Sequence, residues 1–195
     1  MKKKERSVNI PTIEEVENEQ KRLRHRAVYQ RTLRGTIAVL LVVAAISVLV
    51  ATLWMPVLQI YGSSMSPTLE AGQIVVSVKT NQLKTGEIVA FWQGNKLLIK
   101  RVIAGPGQWV DIDMDGNVTV DGQTLDEPYL TEKAFGNCDI DLPHQVSEAH
   151  WFLMGDNRDT SVDSRSTAIG DISKDQIEGQ IIFRIWPLNK AGSIQ

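Results

Sequence analysis

The sequence predicts a mainly β domain of coiled antiparallel strands, carried on one N-terminal transmembrane helix. Three observations lead there. Residues 35–54 hold no charged side chain and are dominated by Val, Leu, Ile and Ala, the length and polarity that a bilayer-spanning helix needs. From Val57 onward, short β-rich runs alternate with Gly, Asn and Asp turns, which is the signature of strands joined by tight connections. No helical stretches alternate with those strands, so the sheet is expected to be antiparallel rather than parallel.

The segment 1–34 is basic. It holds ten Lys and Arg against five acids, a balance of +5, which leaves −7 for the rest of a chain whose formal charge is −2. Thr12-Ile13-Glu14-Glu15 reads as a capping box opening a helix through Leu33, with acids early and bases late to suit the helix dipole. Its basic end can rest on anionic headgroups; a solvated tail is the alternative.

The span follows at 35–55. A removable signal peptide would have a shorter basic region and a shorter apolar run, so this helix is expected to stay as an anchor. Arg31 and Arg34 at its edge put the N-terminus in the cytoplasm and residues 56–195 outside, with Trp54 and Met55 near the outer interface.

In the outer domain, Ile74–Lys79, Ile88–Trp92, Lys96–Ile103, Trp109–Met114 and Asn117–Val120 read as strands. Asp115-Gly116 is a hairpin turn and Asp121-Gly122 a second turn. Residues 131–149 read as loop, and a short helical stretch is expected over Ser173–Ile177. Cys138 is the single cysteine, so it forms no intramolecular disulfide and supplies no zinc site. No phosphate-binding glycine loop or His-containing zinc motif occurs, and the acidic balance of the domain argues against nucleic acid.

Three stretches carry candidate chemistry. Ile60-Tyr61-Gly62-Ser63-Ser64-Met65-Ser66-Pro67-Thr68-Leu69 is a polar turn able to present a hydroxyl. Leu98-Ile99-Lys100-Arg101-Val102 sets a lysine inside an apolar strand, where an ammonium is costly to bury. Met154-Gly155-Asp156-Asn157-Arg158-Asp159-Thr160-Ser161-Val162-Asp163-Ser164-Arg165 is dense in charges and hydroxyls.

A serine nucleophile needs a base, either histidine or a neutral lysine. Outside the membrane the histidines are His144 and His150, and a triad of Ser64, His150 and Asp156 is one arrangement. A lysine with an ordinary pKa near 10.4 is neutral in only roughly one molecule in 2,500 at pH 7, but burial among apolar side chains lowers that pKa. Leu98 shares a strand face with Lys100, so the local setting is compatible with desolvation.

Together these motifs resemble the bacterial type I signal peptidases, with a Gram-positive flavour, over roughly residues 35–188. Gly86-Glu87-Ile88-Val89-Ala90-Phe91, Asp121–Leu130 and Phe183-Arg184-Ile185-Trp186-Pro187-Leu188 extend the resemblance. It implies a membrane-bound serine endopeptidase that removes signal peptides from secreted pre-proteins, without metal or other cofactor. Ser64 would be the nucleophile, Lys100 the general base, and Ser161 the hydroxyl that orients the lysine. The Ser64 backbone N–H would be an oxyanion donor. Some relatives carry a donor serine where this chain has Gly62.

By the same resemblance Arg101, Asp156, Asp163 and Arg165 would form structural ion pairs, and Ile60, Met65, Leu69, Ala90, Leu98 and Ile99 would line shallow pockets. Those pockets would take small residues one and three positions before the cut. The other readings are a specialised relative that processes a few substrates such as pilus subunits, and a non-catalytic assembly factor of the same fold.

Overall fold

The computed structural model describes residues 12–80 and 82–194. The basic stretch at 1–11 and the placement of the Trp54 side chain lie outside the described residues. The chain divides into two units, residues 1–50 and 51–195.

Helix α1 covers Ile13–Trp54 without a break, so the expected basic helix and the apolar span are one rod. Thr12 and Glu15 form its capping box: the Thr12 N–H donates to Glu15 Oε2 at 2.9 Å and the Glu15 N–H to Thr12 Oγ1 at 3.4 Å. Its described side chains from Ile13 to Leu49 are exposed, including the apolar run from Ile37 to Leu49. A helix apolar on every side needs a lipid or protein environment, and by length and composition this one can cross a membrane.

Among its described residues the second unit has twelve strands: β1 (Val57–Gln59), β2 (Ile74–Val78), β3 (Ile88–Gln93), β4 (Lys96–Ala104), β5 (Trp109–Ile112), β6 (Val118–Val120), β7 (Gln123–Thr124), β8 (His144–Gln145), β9 (His150–Met154), β10 (Ile172–Ser173), β11 (Ile177–Trp186) and β12 (Gly192–Ser193). One sheet runs β1-β2-β11-β3-β4-β9-β10 with β12 attached to β11; a smaller one runs β7-β6-β5-β8. All the pairings are antiparallel. The five strands read from the sequence agree with β2 to β6 within two residues at their ends. The helical stretch expected over Ser173–Ile177 is a single 3-10 turn, Lys174–Gln176.

Strand β11 is the main addition. It lies between β2 and β3, and register shifts at Ile177/Gly179, Ile181/Phe183 and Arg184/Trp186 bend it to fit both. Gly179 permits the close approach, since a Cβ there would come within 2.8 Å of the Val78 carbonyl oxygen.

Three apolar clusters fill the domain. The small sheet packs Val110, Ile112 and Val118 against Ile103, Phe152 and Met154. A second gathers Ile60, Met65, Leu69, Val75, Ile88, Ala90 and Ile181 beneath the serine-rich turn. A third, Val89, Phe91, Val102, Leu153 and Ile172, occupies the other face of β3 and β4. Burying each large aliphatic side chain contributes about 1.5–3 kcal/mol, so the second and third clusters fix the two faces of β4 between which Lys100 and Arg101 must divide.

Candidate active site

The alternation along β4 sends Lys100 to the face of Leu98 and Val102, and Arg101 to the opposite one. Both are buried, at 3% and 1% exposure, yet their surroundings differ in kind. Arg101 is fully matched: its Nε and Nη2 donate to Asp156 at 2.9 and 2.7 Å, its Nη1 to the Gly86 carbonyl at 2.6 Å, and its guanidinium lies 3.7 Å from the Tyr129 ring centroid. The Lys100 amine makes no hydrogen bond or ion pair among the described residues.

Burial is the larger influence on the Lys100 amine and pushes its pKa down to about 8. Asp163 opposes that shift, Arg165 adds to it, and Asp156 opposes it more weakly. A lysine of this kind is neutral in a usable fraction of molecules near neutral pH.

The serine-rich turn leaves β1 at Ile60, whose backbone is tied to the start of β2 through Gln73 and Gly72 at 2.8 and 2.9 Å. Gly62 adopts φ +84°, a left-handed conformation that favours glycine. Ser64 is half-buried. Its carbonyl accepts from the Asn157 N–H at 3.0 Å, and the Asn157 carbonyl accepts from the Ser161 N–H at 3.0 Å, so the turn is bonded to the loop that carries Asp156, Ser161 and Asp163. Neither the Ser64 hydroxyl nor its N–H is hydrogen-bonded among the described residues. Ser64 and Lys100 are therefore not bonded to each other directly.

The Ser161 hydroxyl is 1% exposed and has no hydrogen-bond partner among the described residues. A buried hydroxyl without a partner is unusual in a folded protein. It faces Gly155, as does the Ser64 carbonyl: a Cβ on Gly155 would overlap Ser161 Oγ and come within 2.5 Å of the Ser64 oxygen. Gly155 is the meeting point of the two serine segments, a role that its local sequence does not reveal. Its N–H donates to Asp163 Oδ2 at 2.9 Å.

If Ser64 is the nucleophile that the resemblance implies, Gly155→Ala is expected to cut catalytic efficiency at least about 100-fold, the cost of displacing a reacting group by roughly 1 Å, with the fold weakened by about 1–3 kcal/mol from overpacking. Cleavage kinetics beside a denaturation curve would check it. Unchanged kinetics would mean that the two serine segments need not approach.

Three buried ion pairs support this loop. Asp156 binds Arg101 and accepts from Thr68 Oγ1 at 2.5 Å. Asp163 binds Arg165 at 2.9 Å, with both side chains at 0% exposure. Arg158 pairs with Glu127, to which Tyr129 also donates at 3.0 Å, and Arg158 Nε donates to the Gly155 carbonyl at 3.1 Å. Arg158 and Glu127 both stand in motifs visible in the sequence, but 31 positions separate them, so only the fold reveals the pair.

Beside Ser64 runs a groove of about 210 Å³ lined by Leu58, Gln59, Ile60, Tyr61, Gly62, Met65, Leu97, Leu98 and Ile99. Of the six residues expected to form substrate pockets, Ile60, Met65, Leu98 and Ile99 line it. Leu69 and Ala90 do not; both are wholly buried in the cluster below. The groove has free backbone on two sides. Residues 96–100 of β4 pair only with β3, because the β9 pairing begins at Arg101. On the other side β1 is an edge strand. Pro56 and Ile60 bond toward β2, so by alternation the N–H and C=O groups of Val57 and Gln59 point away from it.

Neither histidine of the domain joins Ser64. His144 Nε2 lies 2.9 Å from Asp171 Oδ1, and His150 Nδ1 lies 2.7 Å from the Glu148 carbonyl. Asp156 is committed to Arg101. Cys138 is a free, half-buried thiol, and no group of His, Cys, Asp and Glu among the described residues is suited to a metal ion.

The family described as "Signal peptidase, peptidase S26" matches residues 33–186. The chain is 36% identical over 151 residues to signal peptidase IB of Staphylococcus aureus (strain COL), covering 67% of this chain and 78% of that protein. It is 33% identical over 166 residues to signal peptidase I of Bacillus licheniformis, covering 78% and 88%. A crystal structure of a signal peptidase I from Enterococcus faecalis V583 superposes with a TM-score of 0.45 at 24% identity, covering 52% of this chain and 98% of that one.

Proposed function

This chain belongs to the peptidase S26 family of signal peptidases, and on that premise we propose that it is a membrane-anchored serine endopeptidase that releases secreted pre-proteins from their signal peptides through a Ser64/Lys100 dyad. The observation that carries the dyad is the buried, unpaired Lys100 with a pKa of about 8, on the strand that forms one wall of the groove holding Ser64.

The steps follow from the residues. An extended segment of the pre-protein adds as a strand between the free edges at 57–59 and 96–100, a mode of recognition in which backbone bonds give affinity and alternate side chains give selectivity. Side chains that point inward meet Ile60, Met65, Leu98 and Ile99, a shallow apolar floor suited to small residues. Ser64 Oγ attacks the scissile carbonyl carbon while Lys100 Nζ takes its proton, and the developing oxyanion receives the unengaged Ser64 N–H. Lys100 then protonates the departing amine, leaving an acyl-enzyme. Water hydrolyses the ester with Lys100 again as base, and the proton returns to Ser64.

Ser161 directs the lysine amine through its otherwise unpartnered hydroxyl. The separation of the catalytic groups in the free enzyme is compatible with this, since such hydrogen bonds commonly tighten only with substrate bound. Arg101, Asp156, Asp163 and Arg165 hold the loop and take no part in proton transfer.

Residues 35–55 are assigned as the membrane anchor, 1–34 as the cytoplasmic segment and 56–195 as the catalytic domain outside. The excess of Lys and Arg before the span supports that orientation.

The deciding experiment follows cleavage of a pre-protein with Ala-x-Ala before its mature start by the detergent-solubilised full chain, beside Ser64→Ala. Cleavage after the second Ala, lost in the variant, is expected. A folded wild type inert toward several precursors would reject general processing in favour of a specialised or non-catalytic role. The pH profile gives an independent check. Because the base must be neutral, kcat/KM is expected to rise about tenfold per unit at low pH and to level off above about 8. A profile flat from pH 6 to 9 would rule out Lys100 as the base.

A further inference from the structure

From the outer rim of the groove we infer that Tyr61 is a specificity-determining residue, selecting the side chain second before the cut; the inference rests on the signal peptidase reading above. Along 57–61 burial alternates: Leu58 and Ile60 turn inward, while Val57, Gln59 and Tyr61 turn outward. Ile60 is 4% exposed and forms part of the groove floor, whereas Tyr61 is 81% exposed and still lines the groove. A large aromatic ring standing in water at the edge of a binding groove has no packing role to explain it.

The ring is also held in position. Its hydroxyl donates to Gln59 Oε1 at 2.9 Å, across the two-residue repeat that sets both side chains on one face. A substrate strand obeys the same repeat. If its first and third residues before the cut enter the floor, its second points outward. The outward side chain then passes the Gln59–Tyr61 rim, and the face of the ring is the apolar surface available to it. Aromatic, long aliphatic and cationic side chains gain from such a surface; glycine does not.

The test uses the full chain in detergent and peptides that differ only at the second residue before the cut, Tyr or Leu against Gly. In wild type the ratio of kcat/KM for the bulky over the glycine peptide is expected to be about 3–10, the range of one aromatic contact. The preference should reside in KM. In Tyr61→Ala the ratio falls toward one, and in Tyr61→Phe it is kept, because the ring face and not the hydroxyl makes the contact.

Affinity of the same peptides for Ser64→Ala reads the contact without turnover and should show the same dependence on Tyr61. Equal ratios in wild type and Tyr61→Ala, by cleavage or by affinity, overturn the inference. Absent cleavage with a Tyr61-dependent affinity ratio supports the contact and rejects the peptidase reading instead, so the two fail separately.

Discussion

Replacing Lys100 by methionine should abolish cleavage, by about 10⁴-fold or more, and at the same time stabilise the folded chain at pH 7 by about 3 kcal/mol. The two effects share one cause. Burial holds the Lys100 pKa at about 8 against an ordinary 10.5. The unfolded chain therefore binds the proton more tightly than the native one, and below pH 8 the native state carries the full cost of a desolvated ammonium.

As pH rises from about 8 to 10.5 the native lysine is already neutral while the unfolded one is still charged, so wild-type stability climbs through that window. Methionine removes the charge but keeps an unbranched apolar side chain of similar length. Its advantage should be greatest below pH 8 and gone above 10.5. Urea denaturation at pH 7 and pH 11 would show this. A methionine variant no more stable than wild type at pH 7 would mean that the lysine is better solvated than its 3% exposure implies, and the argument for a neutral base would fall with it.

Asp163→Ala should be the most damaging substitution among the supporting residues. It leaves Arg165, at 0% exposure, without its charge partner, which costs about 3–5 kcal/mol, and it also deprives the Gly155 N–H of its acceptor. For the chemistry the effect has a definite sign. Asp163 is the largest influence holding the Lys100 pKa up, and Arg165 pushes it down. Without Asp163 the pKa falls further, so the rising limb of the pH profile should move to lower pH even as the maximal rate drops. Asp163→Asn keeps an acceptor for Gly155 while losing the charge, and should show the same displacement with less unfolding. A limb that stays in place, or moves to higher pH, would detach Asp163 from the lysine.

Much of this was legible in the sequence because its signals are local. The uncharged run at 35–54, the Asp115-Gly116 hairpin and the strands β2 to β6 each depend on a few neighbouring residues. Strand β11 did not announce itself. Gly179 interrupts its apolar pattern, and its register shifts spoil the two-residue alternation; both features exist to fit partners 86 to 112 residues away on β2 and β3. Ser64, Lys100 and Ser161 stood out by resemblance, whereas the reason Lys100 differs from Arg101 beside it is tertiary. Arg101 is hydrogen-bonded to Asp156, 55 positions away, whereas the Lys100 amine has no hydrogen-bond or ion-pair partner among the described residues. Gly155 was hidden for the same reason, since what makes a Cβ intolerable there is the arrival of Ser64 and Ser161 from separate segments.

The central place of β11 also bears on when activity can first exist. Before residues 177–186 have been synthesised, β2 and β3 have no common neighbour, and each exposes an unsatisfied edge. The groove floor spans both, with Ile60 and Met65 resting on Val75, Ile88 and Ile181. A nascent chain that already contains both serines and the lysine is thus still without a shaped cleft.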